Sequence, residues 1–145
     1  MSAQSLLPKV TASHATVVAS ASAVNAVPGG SVTLRADVAP NPSIHIYAAG
    51  AKDFTPVSLV ITPNATLNLG KATYPKPERA FSPGSADAVP LYRSAFRITM
   101  PVTIKASAKS GDIITVGGAV NYQACDDLLC YPVSSAGVSW QFTVK

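Results

Sequence analysis

Residues 31–38 read S-V-T-L-R-A-D-V, and residues 138–144 read V-S-W-Q-F-T-V. In the first stretch Val32, Leu34, Ala36 and Val38 alternate with Ser31, Thr33, Arg35 and Asp37. In the second, Val138, Trp140, Phe142 and Val144 alternate with Ser139, Gln141 and Thr143. A period of two sends every other side chain to one face of an extended strand, so each stretch predicts a half-buried strand. The same alternation runs through Val57, Leu59 and Ile61 and through Phe96, Ile98 and Met100. Further β-rich runs occupy residues 15–24, 44–47 and 113–122. Turn signals separate them, at Pro28-Gly29-Gly30, Pro40-Asn41-Pro42, Pro63-Asn64, Ser82-Pro83-Gly84 and Ser110-Gly111-Asp112. No stretch shows the 3.6-residue period of an amphipathic helix.

Seven or eight short strands with one polar and one apolar face predict an all-β fold, an immunoglobulin-like antiparallel β-sandwich. The 145 residues suit a single domain, residues 1–145, with about residues 1–12 expected as a flexible N-terminal segment. Trp140 follows both cysteines, so it reads as a core residue of the last strand. Hydrophobic residues make up 48% and charged residues 12%, which excludes a disordered chain. No run approaches the roughly 18 apolar residues that cross a bilayer, and no basic n-region followed by an apolar h-region opens the sequence. The net charge of +4 comes from basic residues scattered singly rather than clustered among aromatics, which argues against a nucleic-acid partner.

Residues 74–90, Y-P-K-P-E-R-A-F-S-P-G-S-A-D-A-V-P, lose the alternation and carry Pro75, Pro77, Pro83 and Pro90. A loop of this length in a small domain is usually functional or disordered. Phe81 in its middle favours a loop that packs back on the fold.

The one constellation with chemical specificity is Y-Q-A-C-D-D-L-L-C-Y-P, residues 122–132. Cys125 and Cys130 are the only cysteines. If one ends a strand and the other begins the next, a four-residue turn sets them within disulfide reach. Closing a loop of about six residues stabilises by only about 2 kcal/mol on the chain-entropy account, against nearly 5 for about 100 residues. The residues therefore leave a redox pair and a static structural disulfide both open. No metal is expected, because the only histidines, His14 and His45, are far upstream and lack ligand spacing. Both histidines read as ordinary surface or loop residues. No Ser-His-Asp elbow is present, and Asn64-Ala65-Thr66 is a bare sequon match.

Residues 91–133 resemble the periplasmic N-terminal domain of the DsbD family of thiol:disulfide interchange proteins. The likeness is sharpest at Tyr92, at Met100-Pro101-Val102, and at Tyr122-Gln123-x-Cys125 followed by Cys130-x-Pro132. Upstream, Ile44-His45-Ile46-Tyr47 resembles the strand that brings a tyrosine toward the cysteines. Residues 74–90 fall where that family has a cap loop over the disulfide. Val133 replaces the second proline of a common C-x-P-P ending.

The resemblance implies that Cys125 and Cys130 form a reversible disulfide in the bacterial periplasm and exchange electrons with thioredoxin-fold partners, cytochrome c biogenesis proteins among them. It implies no cofactor, since the cysteines carry both electrons, and a transmembrane electron-transfer domain attached in the full-length protein. It further implies that partners attack Cys130 while Cys125 resolves. Tyr47, Phe81, Tyr92, Tyr122 and Tyr131 are then candidate shields, with Phe81 the expected lid. Asp126, beside Cys125, is a candidate general acid if it is partly protonated. The competing expectation is a β-sandwich interaction module with a static disulfide.

Overall fold

The computed structural model describes residues 9–145, and those residues contain strands and no helix. In chain order the strands are β1 (Lys9–Ala12), β2 (Ala15–Ala21), β3 (Asn25–Ala26), β4 (Ser31–Pro40), β5 (His45–Tyr47), β6 (Ser58–Ile61) and β7 (Leu67–Leu69). They continue with β8 (Glu78–Ala80), β9 (Val89–Tyr92), β10 (Phe96–Ile104), β11 (Ile113–Tyr122), β12 (Ala124–Cys125) and β13 (Ser134–Val144). The alternating stretches form the long strands β4, β10 and β13. Of the N-terminal segment expected at residues 1–12, residues 1–8 lie outside the described residues, and residues 9–12 pair with β2 as β1.

One sheet has the order β1-β2-β4-β10-β7 and a second the order β3-β13-β11-β6. Their apolar faces enclose the main core. Leu34, Val38, Ile98 and Val102 from the first sheet are buried with Val116, Val120, Trp140 and Phe142 from the second. Removing a side chain of this size from water contributes about 1.5–3 kcal/mol. Trp140 is 3% exposed, and its Nε1–H donates to the carbonyls of Ser20 (2.9 Å) and Arg35 (3.1 Å), so its one polar atom is satisfied inside the core. Gly118 in β11 lets β6 approach, because a Cβ there would stand 2.7 Å from the Val60 carbonyl oxygen.

A third, smaller sheet has the order β12-β5-β9-β8. The segment expected as a cap loop at residues 74–90 contains part of a β-hairpin: Glu78, Arg79 and Ala80 pair with Leu91, Pro90 and Val89. Its polar composition hid it, because the apolar partner strand supplies the burial. Exposed Glu78 and Arg93 join the two ends by an ion pair at 3.2 Å. At the hairpin tip Ser82-Pro83-Gly84-Ser85 is a tight turn. Gly84 has φ +80°, and the Ser85 amide donates to the Ser82 carbonyl at 2.9 Å. Proline then a positive-φ glycine at the central positions is the type II pattern.

Candidate functional site

Cys125 and Cys130 are joined in a disulfide, with their Cα atoms 4.0 Å apart. The turn between them is built by Asp126. Its amide donates to the Leu129 carbonyl (2.9 Å), and its Oδ1 accepts from the amides of Leu128 (2.7 Å) and Leu129 (2.8 Å). Its Oδ2 accepts from the Tyr131 hydroxyl at 2.6 Å. These donors, the tyrosine foremost, hold the Asp126 carboxyl down at about 2, well below its ordinary value. Asp126 is thus fully ionised near neutrality. With both oxygens accepting, the carboxylate holds the turn that holds the sulfurs, and its donors favour the charged form over the partly protonated acid expected from the sequence.

Tyr131 is placed from two sides, since its ring also stacks on His14 at 3.9 Å. The bond to Asp126, then burial, raises its phenol. Gln123 ties the turn to the segment before β6: its Oε1 accepts from the Thr55 amide (2.9 Å) and its Nε2 donates to the Tyr131 carbonyl (3.4 Å).

Strand β5 supplies the roof. Ile46 points into the main core, and the period of two sends His45 and Tyr47 to the opposite face. Cys125 pairs with His45 across β12 and β5. The Tyr47 hydroxyl lies 2.9 Å from Cys125 Sγ and 3.4 Å from Cys130 Sγ. Tyr47, Ala51, Val89, Leu91 and Cys125 form a second apolar cluster, with Phe54, Ala80 and Cys130 packed on it. Phe54 covers Tyr47 in a stack at 4.1 Å. The cap hairpin alternates as strands do: Ala80 packs on the cluster, Phe81 points out, and Ser82 points in.

Ser82 Oγ is hydrogen-bonded to the Tyr47 hydroxyl and lies 2.7 Å from Nε2 of His45. His45 (5% exposed) and Ser82 (8%) are the two buried polar side chains among the described residues. Burying polar groups is unfavourable unless they are bonded, and these two are bonded to each other against the disulfide. Burial raises the Tyr47 phenol, partly offset by its bond to Ser82. It lowers His45, against the pull of Asp127 and Asp126 and with Arg93 acting in the same direction as burial.

The two sulfurs are not equivalent. Cys125 is fully buried, whereas Cys130 is partly exposed beside exposed Leu128 and Leu129.

The structure thus brings together Cys125, Cys130, Tyr47, Asp126 and Tyr131 of the residues singled out in the sequence. Three others stand elsewhere. Phe81 is 71% exposed, and its neighbour Ser82 makes the inward contact. Tyr92 stacks on Phe96 at 4.0 Å and donates to the Pro75 carbonyl. Tyr122 is buried in the main core and donates to the Ser13 carbonyl. Three residues were missed: Ser82, Phe54, and His45, which reads as ordinary in the sequence. Only the spacing of His45 and Tyr47, which puts both on one strand face, carried a signal.

Residues 13–139 match the family described as thiol:disulfide interchange protein DsbD, N-terminal. Among solved structures, the N-terminal domain of DsbD from Neisseria meningitidis in the reduced form aligns with a TM-score of 0.53 at 17% identity, over 99% of this chain and 95% of that one. The N-terminal periplasmic domain of ScsB from Proteus mirabilis aligns with a TM-score of 0.56 at 14% identity, over 95% of this chain and 52% of that one. No curated protein matches the chain by sequence. At these identities the structures speak to the fold, and the family match spans nearly the whole described chain. The chain belongs to the family of DsbD N-terminal domains, which are thiol–disulfide exchange domains, and Cys125–Cys130 is its disulfide.

Proposed function

We propose that this domain is a protein-disulfide reductase module of the bacterial periplasm. It takes two electrons from one thioredoxin-fold protein and hands them to others, as the front of a longer inner-membrane protein. Cys130 is the sulfur that partners attack, and Cys125 is the leaving and resolving sulfur. The observation that carries this assignment is the unequal exposure of the pair: Cys125 is sealed at 0% exposure under Tyr47, while Cys130 is only partly buried.

A donor thiolate attacks Cys130 Sγ, the Cys125–Cys130 bond breaks, and its electron pair stays on Cys125. The donor's second thiolate then attacks the mixed disulfide and releases Cys130, so the domain gains two electrons as the donor closes its own disulfide. The return step delivers the electrons to an acceptor by the same bonds in reverse order. The exposed Leu128, Leu129 and Val133 beside Cys130 suit an apolar partner face.

A reduced thioredoxin-type donor mixed with the native oxidised chain tests the reading. The disulfide should open in the folded state at micromolar donor, and faster than with an equal concentration of a monothiol. A disulfide that resists the donor until denaturant is added is a static staple, and the proposal then fails.

A further inference from the structure

The exchange cycle leaves one proton unexplained. With the disulfide closed Cys125 is buried beneath Tyr47, and a thiol kept in that place has no direct water to take its proton when it must resolve a mixed disulfide. We infer that His45, acting through the hydroxyls of Ser82 and Tyr47, is the positioning base that removes that proton. This inference rests on the assignment of Cys130 as the sulfur that partners attack.

The geometry forms an unbroken chain. Cys125 Sγ is 2.9 Å from the Tyr47 hydroxyl, that hydroxyl is bonded to Ser82 Oγ, and Ser82 Oγ is 2.7 Å from His45 Nε2. Each hydroxyl has one hydrogen and accepts another, so the chain has two complementary settings. In the resting setting the Tyr47 hydroxyl donates to Ser82, the Ser82 hydroxyl donates to His45 Nε2, and the phenolic oxygen is free to accept from the Cys125 thiol. In the active setting every hydrogen has moved one place: the imidazolium donates to Ser82, Ser82 to Tyr47, and Tyr47 to the Cys125 thiolate. Both settings keep the two hydroxyls and His45 Nε2 hydrogen-bonded.

The resolving step then balances. The Cys125 S–H bond breaks and its proton reaches His45 by this shift. The Cys125 electron pair attacks Cys130 Sγ, the Cys125–Cys130 bond forms, and the Cys130–partner bond breaks. The partner thiolate departs with the electron pair. The imidazolium later gives its proton to solvent.

The surroundings suit a base that is neutral at rest. Burial holds His45 below its ordinary value near 6.5, and Arg93 acts in the same direction. From the cysteine turn, Asp127 and Asp126 favour the cation once it forms. On its own strand, the edge of the Tyr47 ring pair lies 5.5 Å away centre to centre, and from the cap hairpin the group that meets it is the Ser82 hydroxyl. The two acidic residues beside Cys125, which would by themselves disfavour a thiolate, thereby assist its formation through the histidine.

The test uses the reduced 145-residue chain mixed rapidly with 4,4′-dithiodipyridine. The first thiopyridone released reports attack by Cys130, and the second reports resolution by Cys125. In the parent chain the second phase should fall as pH is lowered through the ionisation of His45, below pH 6.5. His45→Gln and Ser82→Ala should each lower the ratio of second-phase to first-phase rates about a hundredfold at neutral pH, the lower end of general-base effects. Both should abolish the low-pH limb of that ratio, and Ser82→Thr, which keeps a hydroxyl, should restore it. An unchanged ratio and limb in both His45→Gln and Ser82→Ala overturns the relay. So does an equal slowing of the two phases, which would mark a merely structural role. Cys125→Ser should release one equivalent at the first-phase rate. If it releases none, the assignment of Cys130 falls, and the relay with it.

Discussion

The Tyr47 hydroxyl stands 2.9 Å from the sulfur of Cys125. Strand β5 is only three residues long, but pairing with β12 on one side and β9 on the other fixes it. The hydroxyl can accept weakly from the thiol and donate to the thiolate, and the bond to the charged form is the stronger of the two. Tyr47→Phe should therefore raise the Cys125 pKa by about one unit, the ~1.4 kcal/mol of a hydrogen bond to a charged group. Titrating thiolate absorbance in a Cys130→Ser background, where Cys125 alone responds, measures this. An unmoved pKa would show that the contact does not act on the thiolate.

Phe54, and not Phe81, covers Tyr47 beside the disulfide. Phe54 stacks on Tyr47 and packs against the cluster that holds both cysteines, whereas the Phe81 ring is 71% exposed. Phe54→Ala should speed reduction of the disulfide by glutathione severalfold and cost about 1–2 kcal/mol of stability. Phe81→Ala should leave both nearly unchanged. The reverse ranking in the glutathione rates would return the lid to Phe81.

The pairing of Phe81 and Ser82 shows where sequence reading stopped. Long strands were legible because alternation of apolar residues is a local property: Val32 to Val38 and Val138 to Val144 declare their buried face without help from elsewhere. The short strands β5, β8 and β12 are too brief for a period, and each exists because a neighbour pairs with it. Glu78–Ala80 is polar and becomes a strand only against Val89–Tyr92. The cysteine pair was visible because two cysteines have few explanations. Ser82 and His45 have many as single polar residues, and their meaning appears only once the third sheet folds them onto Tyr47. For Asp126, its neighbours in sequence suggested an acid, whereas the donors around it make it a structural anion.

That anion sets a pH dependence. The folded value of Asp126 is about 2, below an ordinary 3.8. The turn therefore gains stability from the carboxylate above about pH 3.8 and loses it as pH falls toward 2. Urea midpoints should drop over this window in the parent chain. Tyr131→Phe, which removes the largest cause of the depression, should shift the drop to higher pH, and Asp126→Ala should flatten the contribution. A parent-like profile in Asp126→Ala would show that other carboxylates govern the acid limb.

In the proposed exchange Cys130, the more exposed cysteine, receives the partner while the buried Cys125 leaves and resolves. Trapping with a thioredoxin-fold protein that carries a single active cysteine, activated as its mixed disulfide, tests it most directly. Cys125→Ser should accumulate a stable disulfide between Cys130 and the partner cysteine, seen by non-reducing electrophoresis and located by mass spectrometry of the linked peptides. Cys130→Ser should accumulate little. A complex that forms through Cys125 in the Cys130→Ser chain, and not through Cys130 in the other, contradicts the account.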